Sequence, residues 1–383
     1  MRIAFRLFNE TSKLLIDSIL KNKEIELVCF VDANDHKWGV TETDYHIPYI
    51  SPYRLLSMMR SGEIDKLVIS PYCRCNTVND VISESIEMGI DVNNIIVPAV
   101  PDAKLIERNP DIDICSFTVG EYKTLSRLQF HLADHCNLNC TACTHFSSLV
   151  RKVGFMDIEE IERDLRRLRQ LVKHIDEIDL LGGEPLLNEN WKEYIVLTKS
   201  IFEYSDITII TNGTLIRQLG DEDWRFIKDN DVLFRMSLYK PFWDKADEIV
   251  SFLKSKNVKY DVNYRVMTKF ASIFLRETKG TEKDNRVNCA SECNQLFHGK
   301  LAPCSRMMYV GFFNSFFNLN YPEDVAVESI YNVRDFKELT GLLGRPMPLC
   351  KYCNIHLNNQ VLTEWRTVKP GGKEENSLEC WIS

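Results

Sequence analysis

The chain has 383 residues, of which 44% are hydrophobic, and a formal net charge of -8. This length and composition allow two or three domains with buried cores. The acidic balance and the lack of a dense Lys/Arg run argue against nucleic acid as the main partner, because nucleic-acid-binding proteins neutralise phosphates with a basic face.

The N-terminus does not resemble a signal peptide, since Met1-Arg2-Ile3-Ala4-Phe5 begins a strand-like segment. No apolar run approaches the length that crosses a membrane. We therefore expect a cytoplasmic protein with no membrane partner. A reducing compartment disfavours structural disulfides, so the 13 cysteines are expected to be thiols or metal ligands.

Short apolar strands alternate with amphipathic helices in the first part of the chain. The pattern predicts strands at 3–8, 26–32, 66–70 and 94–98 and helices at 12–20, 52–59 and 78–88. Such alternation is typical of a small parallel sheet flanked by helices, and we place this α/β domain at residues 1–115. No glycine-rich phosphate loop follows the first strand, where the sequence reads Phe5-Arg6-Leu7-Phe8-Asn9, so we expect no dinucleotide binding.

This first segment resembles the Rossmann-like domain of bacterial sugar-modifying and polysaccharide-biosynthesis enzymes. The likeness rests on Cys29-Phe30-Val31-Asp32 at the end of the second strand and on Ile47-Pro48-Tyr49-Ile50-Ser51-Pro52 before the next helix. The resemblance implies a degenerate Rossmann-like domain that accompanies sugar chemistry.

Three cysteines stand close together in the run His135-Cys136-Asn137-Leu138-Asn139-Cys140-Thr141-Ala142-Cys143. Three thiols at this spacing suit a 4Fe-4S cubane with one iron left free to chelate a small molecule, such as S-adenosylmethionine (SAM). The alternatives are a structural zinc site, with His135 or His145 as the local fourth ligand, and a chance cluster of buried thiols.

Two further motifs follow at the ends of strand-like runs. The first is Leu180-Leu181-Gly182-Gly183-Glu184-Pro185, and the second is Thr211-Asn212-Gly213. Two glycines at a strand tip let backbone groups come close to a ligand. Either motif alone also reads as an ordinary turn.

The three motifs in this order resemble the radical SAM superfamily, whose members carry the cysteine loop after the first barrel strand, a GGEP-type motif after the second and often a TNG turn after the third. The resemblance implies that a 4Fe-4S cluster is bound by Cys136, Cys140 and Cys143. It implies that SAM is bound by Gly182, Gly183, Glu184, Pro185, Asn212 and Ser237. One departure is Ala142, which stands where the family usually has an aromatic residue near the adenine; Phe146 is the nearest replacement.

The middle of the chain continues to alternate strands and helices. Strands are predicted at 178–181, 207–211, 232–237 and 259–264, and helices at 158–171, 191–202, 223–227 and 245–253. We therefore expect a central partial (β/α)6 TIM barrel over residues 116–280, with active residues at the carboxyl ends of its strands. Tyr239, Lys240 and Arg265 lie at or near such ends and are our candidates for holding the substrate.

A second cysteine set follows the barrel. It consists of Cys289, Cys304, Cys350 and Cys353, with Gly299 in a predicted hairpin turn that delivers Cys304. The set resembles the twitch domain, the shortened relative of SPASM, which implies an auxiliary 4Fe-4S cluster held by residues 281–365. A zinc ribbon is the alternative. Residues 366–383 read as a flexible tail.

Cys293 has three interpretations. It could replace Cys289 as a ligand, remain a buried thiol, or act as a catalytic residue that supplies a hydrogen atom to a substrate radical.

The resemblance implies a radical SAM enzyme that cleaves SAM reductively to a 5'-deoxyadenosyl radical and abstracts hydrogen from a C–H bond. Related twitch enzymes oxidise an aminocyclitol, so we expect a sugar, nucleotide sugar or cyclitol, oxidised or epimerised in polysaccharide or natural-product biosynthesis. A flavodoxin- or ferredoxin-type protein would donate electrons. The alternatives are a ribosomal-peptide maturase and a non-catalytic iron-sulfur electron carrier.

Overall fold

The computed structural model of the chain describes residues 1–9, 12–70, 75–98, 124–263, 270–272, 275, 281, 286, 289, 293–353, 361–363 and 378–382. The chain divides into two units, Met1–Ser126 with Lys173–Asp176 and Arg127–Val172 with Glu177–Ser383. Within the described ranges, no helix combines the length and the apolar character needed to cross a membrane. The predicted domain borders near residues 115, 280 and 365 lie in or beside segments outside these ranges and stay predictions.

The first unit contains a five-stranded parallel sheet. Its strands are β1 (Arg2–Arg6), β2 (Glu26–Val31), β3 (Tyr49–Ile50), β4 (Lys66–Ile69) and β5 (Ile95–Ile96), in the spatial order β3-β2-β1-β4-β5. The helices between them are α1 (Ser12–Leu20), α2 (Pro52–Arg60) and α3 (Cys75–Glu87). The predicted strands and helices of this segment are therefore confirmed to within a few residues.

A second sheet has seven strands. In chain order they are β6 (Thr124–Ala133), β7 (His174–Gly182), β8 (Asp206–Thr211), β9 (Leu233–Ser237) and β10 (Lys259–Asn263), then, after β11 (Phe270–Ser272), β12 (Asn294–Phe297) and β13 (Lys300–Ala302). The spatial order is β10-β9-β8-β7-β6-β12-β13. The pairs from β7 to β10 and the pair of β6 with β12 are parallel. A short antiparallel pair joins β11 to β14 (Val361–Thr363).

Helices follow the parallel strands of this sheet, as the sequence pattern predicts. They are α4 (Ile158–Leu171), α5 (Trp191–Ile201), α6 (Asp221–Asp229) and α7 (Ala246–Ser255), with α8 (Ser305–Phe317) and α9 (Phe336–Gly344) near the C-terminus. The Asp157 carboxylate caps α4 by accepting from the Glu159 amide at 2.8 Å. The apolar stripe that includes Ile161, Leu165 and Leu168 is fully buried.

The predicted hairpin before Cys304 is also confirmed. Strands β12 and β13 pair antiparallel around His298 and Gly299, and Gly299 has a φ of +68°. That value suits glycine, which has no β-carbon to strain. Cys304 comes two residues after the end of β13 and stands at the N-terminus of α8.

Charged side chains pack between the strands on one face of this sheet. Arg127 Nε donates to Glu177 Oε2 at 3.1 Å, and Arg235 Nη1 lies 2.8 Å from Glu177 Oε1. Asp179 is fully buried and accepts from Gln129 Nε2 at 2.5 Å. β7 begins at His174, whereas the apolar run alone predicts a strand only from residue 178, and Glu177 in the additional part is one of these paired carboxylates.

Candidate functional site

One cavity of about 230 Å³ lies where the carboxyl ends of β7, β8 and β9 meet the loop that follows β6. It is lined by Cys136, Leu138, Cys140, Cys143, Thr144, His145, Ser147, Leu181, Gly182, Gly183, Ile210, Thr211, Asn212, Ser237 and Tyr239. The structure thus brings the three predicted cluster ligands together with four of the predicted SAM residues. These residues come from four separate segments of the chain.

Gly182 and Gly183 allow the end of β7 to lie against the backbone of the cysteine loop. The Gly183 amide donates to the Ala133 carbonyl at 2.8 Å. A β-carbon on Gly182, whose φ is +146°, would stand 2.2 Å from that same oxygen. Both glycines are therefore required for backbone packing as well as for an approach to a ligand, and a sequence motif alone does not show the first role.

Glu184 ties the GGEP segment to the TNG turn. Its carboxylate is fully buried and accepts from the Asn212 amide at 2.8 Å and the Thr211 hydroxyl at 2.7 Å. Burial raises the pKa of Glu184 to about 7, against the lowering effect of these hydrogen bonds. Neither Glu184 nor Pro185, which starts the following turn, is among the described residues that line the cavity. Their predicted role in SAM binding stays a prediction.

Asn212 connects the TNG turn to the cysteine loop. Its Nδ2 lies 3.5 Å from Cys136 Sγ and 2.9 Å from Asn137 Oδ1. Its Oδ1 accepts from the Thr214 amide at 2.9 Å. An amide held in this way donates toward the sulfur, which favours the thiolate form that a metal needs.

Backbone amides also point at the loop sulfurs. The Leu138 amide donates to Cys136 Sγ at 3.4 Å, and the amides of His145, Phe146 and Ser147 favour the Cys143 thiolate. Burial nevertheless dominates and raises the pKa of both thiols, that of Cys136 to about 12. Without a metal, Cys136 and Cys143 are therefore neutral thiols, and metal binding must displace their protons.

Ser237 and Tyr239 lie at the end of β9 and line the same cavity. Burial raises the pKa of Tyr239, and the three loop thiols raise it further, while a hydrogen bond with Ser237 lowers it. The phenol therefore stays a neutral donor close to the cysteines. The side chain of Lys240 and the whole of Arg265 fall outside the described residues, so their predicted substrate contacts stay predictions.

The donor set of the cavity fits a 4Fe-4S cluster with SAM. Three thiols border one space, amide donors surround two of the sulfurs, and Ser237 and Tyr239 add hydroxyl groups beside them. Hydrogen bonds to sulfur are one means by which proteins tune such clusters. Among the described residues, no three His, Cys, Asp or Glu side chains converge closely enough to hold a single metal ion.

Phe146 does not face the cavity with these residues. It is buried and packs against Phe313 and Trp381, at ring-centroid distances of 5.3 and 5.9 Å. Its backbone is left-handed, with a φ of +54°. The Phe146 ring therefore packs against these two rings, and it is not among the described side chains that line the cavity, although the sequence suggested it as the residue that stacks on the adenine.

The predicted auxiliary ligands also come close to one another. Besides burial, the nearby thiols of Cys289 and Cys353 raise the pKa of Cys304. The same two thiols also add to burial in raising the pKa of Cys350. Burial raises the pKa of Cys304 to about 11. The four thiols therefore share one neighbourhood, although the identity of a metal there stays a prediction.

Cys293 stands apart from the cavity. It precedes β12, whose parallel register sets Gln295 beside Gln129. Its thiol lies near Arg127 and contributes to raising the pKa of that side chain. From Arg127 to the end of β6 at Ala133 the strand rises roughly 20 Å. Among the described residues, the structure therefore places Cys293 away from the cavity that Tyr239 lines.

Sequence reasoning missed a group of residues next to the cysteine loop. His131 lies between Asp134 and His145 and contacts both through its ring nitrogens, at 2.8 and 2.9 Å. The available signal was the polar alternation Arg127-x-Gln129-x-His131 on a strand whose intervening residues are apolar.

The chain is similar to several known proteins. A model of the radical SAM superfamily matches residues 131–266. The GTP 3',8-cyclase of Syntrophomonas wolfei subsp. wolfei is 33% identical over 109 residues, 26% of this chain and 31% of that enzyme. The GTP 3',8-cyclase of Clostridium perfringens (strain 13 / Type A) is 26% identical over 176 residues, 44% and 53% of the two chains. The chain spans about a third to a half of the length of these curated relatives.

Two solved structures are also similar. One is anSMEcpe with bound AdoMet, 24% identical over 36% of this chain and 43% of that chain, with a TM-score of 0.30. The other is BtrN in complex with AdoMet and 2-DOIA, 17% identical over 64% of this chain and 98% of that chain, with a TM-score of 0.37.

The segment that the family model matches contains the cysteine loop, the two glycines, Asn212, Ser237 and Tyr239. These residues also line the cavity at the strand ends. Residues 131–266 of this chain are therefore a radical SAM domain.

Proposed function

We propose that this protein is a radical SAM enzyme that abstracts a hydrogen atom from a C–H bond of a sugar, nucleotide sugar or cyclitol and so oxidises or epimerises it. The observation that carries the proposal is the single cavity in which Cys136, Cys140 and Cys143 meet the ends of three parallel strands. Active sites of (β/α) barrels lie at that end of the strands.

Cys136, Cys140 and Cys143 would hold a 4Fe-4S cluster, and Gly182, Gly183, Asn212 and Ser237 would bind SAM. When bound, this pair supplies a 5'-deoxyadenosyl radical by reductive cleavage of SAM. The chain's own contribution is to fix the sulfurs through Asn212 and the backbone amides.

Tyr239 is the best placed of our substrate candidates, because its neutral phenol lies near the loop cysteines. A hydroxyl-rich substrate offers several acceptors for such a donor, and convergent hydrogen bonds would hold one C–H bond in the orientation that abstraction requires. Lys240 and Arg265 would favour a substrate with a phosphate or carboxylate group.

The first unit supports a Rossmann-like assignment through its strand order β3-β2-β1-β4-β5, which is that of the doubly wound fold. It does not offer a phosphate loop. Phe8, which stands where glycine would be needed, packs on Phe30 at 4.5 Å and on Tyr45 at 6.1 Å between ring centroids. We propose that this domain serves sugar chemistry without binding NAD or FAD.

Cys289, Cys304, Cys350 and Cys353 would bind an auxiliary 4Fe-4S cluster in a twitch domain, which could accept the second electron of an oxidation. A flavodoxin- or ferredoxin-type protein would supply the first electron. The names of the curated relatives give GTP as their substrate, but the matched segments are too short to extend that substrate to this chain.

The proposal is tested by reconstituting the protein anaerobically, reducing it with excess SAM and measuring 5'-deoxyadenosine. Cys136→Ala, Cys140→Ala and Cys143→Ala should each abolish the product, while Cys29→Ala, a buried thiol in the first unit, should leave it unchanged. Undiminished cleavage in any of the three loop variants would refute the assignment. A substrate screen in deuterated buffer then follows, and deuterium gain in a peptide with no sugar consumed would overturn the sugar proposal.

A further inference from the structure

Asp134, His131 and His145 form a hydrogen-bonded chain beside the cysteine loop. Asp134 Oδ1 lies 2.8 Å from His131 Nδ1, and His131 Nε2 lies 2.9 Å from His145 Nδ1. His131 is fully buried, and its ring stacks on the buried ring of Tyr309 at 3.9 Å between centroids and 12° between planes. The middle ring of the chain is therefore held rigidly from one face as well as at both nitrogens.

The positions of the hydrogens follow from the partners. A carboxylate only accepts hydrogen bonds, so His131 must carry its hydrogen on Nδ1, the nitrogen that faces Asp134. A neutral imidazole with hydrogen on Nδ1 accepts at Nε2, so His145 must donate from Nδ1. His131 is fully buried, which disfavours a charged ring. In the neutral chain each ring carries one hydrogen, and the hydrogen of His145 lies on Nδ1. His145 is then left with a lone pair on Nε2.

This nitrogen is placed to meet a ligand. His145 is half-buried and lines the cavity that also contains the three loop cysteines. The structure shows no hydrogen-bond partner for His145 Nε2 among the described residues, whereas Nδ1 is occupied by His131. The backbone amide of His145 points at Cys143, so the main chain serves the sulfur while the ring remains available.

We propose that His145 Nε2 is a hydrogen-bond acceptor for a hydroxyl or ammonium group of SAM and that Asp134 and His131 are positioning residues that fix this tautomer. This inference deepens the proposed function and rests on it for the identity of the ligand. A hydroxyl or ammonium group is the complement of an unprotonated ring nitrogen, because both can donate. Asp134 holds the histidine tautomer as the third residue of a Ser-His-Asp triad does.

The tautomer is tested on metal-free protein, so that the result is independent of cluster chemistry. The protein is labelled with ¹⁵N-histidine and kept reduced, and long-range ¹H–¹⁵N spectra show which nitrogen of each ring carries hydrogen. Spectra of His131→Gln and His145→Gln assign the two signals among the eight histidines. We expect hydrogen on Nδ1 of both rings in the wild type.

Asp134→Asn should reverse the direction of hydrogen-bond donation from His145 through His131 to residue 134. An asparagine NH₂ group donates to His131 Nδ1, so the hydrogen of His131 moves to Nε2. His145 would then carry hydrogen on Nε2. A wild-type spectrum with hydrogen on His145 Nε2, or the same His145 tautomer in both proteins, would overturn the positioning role. If Asp134→Asn does not fold, the wild-type spectrum decides alone.

The ligand contact is tested by calorimetric titration of iron-loaded protein with SAM. His145→Phe keeps a ring but removes the acceptor, and we expect about tenfold weaker SAM binding, as for the loss of one hydrogen bond to a polar or charged group. His298→Phe is the matched control, since His298 is exposed and contacts Glu160. Equal affinity of His145→Phe and the wild type would refute the contact, whereas no SAM binding by the wild type would refute the proposed function itself.

Discussion

The backbone of Gly183 lies so close to that of His135 that a β-carbon on Gly183 would stand 2.1 Å from the His135 carbonyl oxygen. The neighbouring atoms are also backbone, the His135 carbonyl carbon at 2.3 Å and the Cys136 nitrogen at 2.7 Å. Backbone atoms cannot rotate away as the end of a side chain can. The contact therefore couples the GGEP segment directly to the first residue of the cluster motif.

We expect Gly183→Ala to destabilise the metal-free protein by about 1–3 kcal/mol, the usual cost of forcing an extra carbon into a packed site. The cysteine loop should shift, so iron loading should fall as well. Gly341→Ala is the matched control, because nothing lies within 4 Å of a β-carbon at this helical position. Alanine there should be neutral or slightly stabilising. Urea denaturation compares the variants, and equal midpoints for Gly183→Ala and the wild type would contradict the argument.

Asn212 offers a test of how the cysteine loop is held. Asn212→Ala removes the amide that lies 3.5 Å from Cys136 Sγ and 2.9 Å from Asn137 Oδ1. We expect reconstituted protein to lose iron to a chelator several times faster, because the loop loses two contacts and the sulfur loses a donor.

Asn230→Ala serves as the comparison for this experiment. Its side-chain amide donates to the Phe226 carbonyl at the end of α6, outside the cavity lining. Iron loss at the wild-type rate in Asn212→Ala, or an equal acceleration in Asn230→Ala, would show that Asn212 has no special part in holding the cluster loop.

Motif spacing predicted the cysteines, the glycines and Asn212, because cluster and ligand binding restrict both residue type and order. It could not predict that Glu184 ends as a buried link to Thr211 and Asn212, since that depends on two strands meeting in space. The elements of the first unit were predictable from apolar periodicity alone. The start of β7 was not, because Glu177 reads as exposed until Arg127 and Arg235 are brought beside it.

Asp179 should make stability depend on pH. Burial, followed by the nearby charge of Glu177, raises the pKa of Asp179 to about 7 in the folded protein. The folded state then binds this proton more tightly than the unfolded state, so the stability that Asp179 contributes is greatest at low pH and falls as the pH rises through the window from about 4 to 7.

Asp179→Asn removes this effect while keeping an oxygen for Gln129 Nε2. Its stability relative to the wild type should therefore rise with pH across the window and level off above it, by a few kcal/mol at most. Urea midpoints at pH 5, 6, 7 and 8 provide the measurement. Glu222→Gln, which changes an exposed carboxylate, should show no such trend. A constant difference between Asp179→Asn and the wild type would contradict the raised pKa.

The metal content of the C-terminal cysteines decides the twitch assignment. Besides burial, the thiols of Cys289 and Cys353 raise the pKa of both Cys304 and Cys350, which places the four side chains near one another. Cys304 follows the hairpin whose turn contains Gly299. We expect anaerobic wild-type protein to carry about eight irons, and the variant lacking all three loop cysteines about four, since each cubane holds four irons. Cys304→Ala or Cys353→Ala in that background should remove the remaining iron, because a cubane needs its thiolates.

Cys29→Ala, which changes a buried thiol of the first unit, is the control and should remove no iron. Iron and zinc are measured together on the same samples. Zinc in place of the residual iron would identify the C-terminal site as a zinc ribbon and leave the proposed oxidation without its electron acceptor.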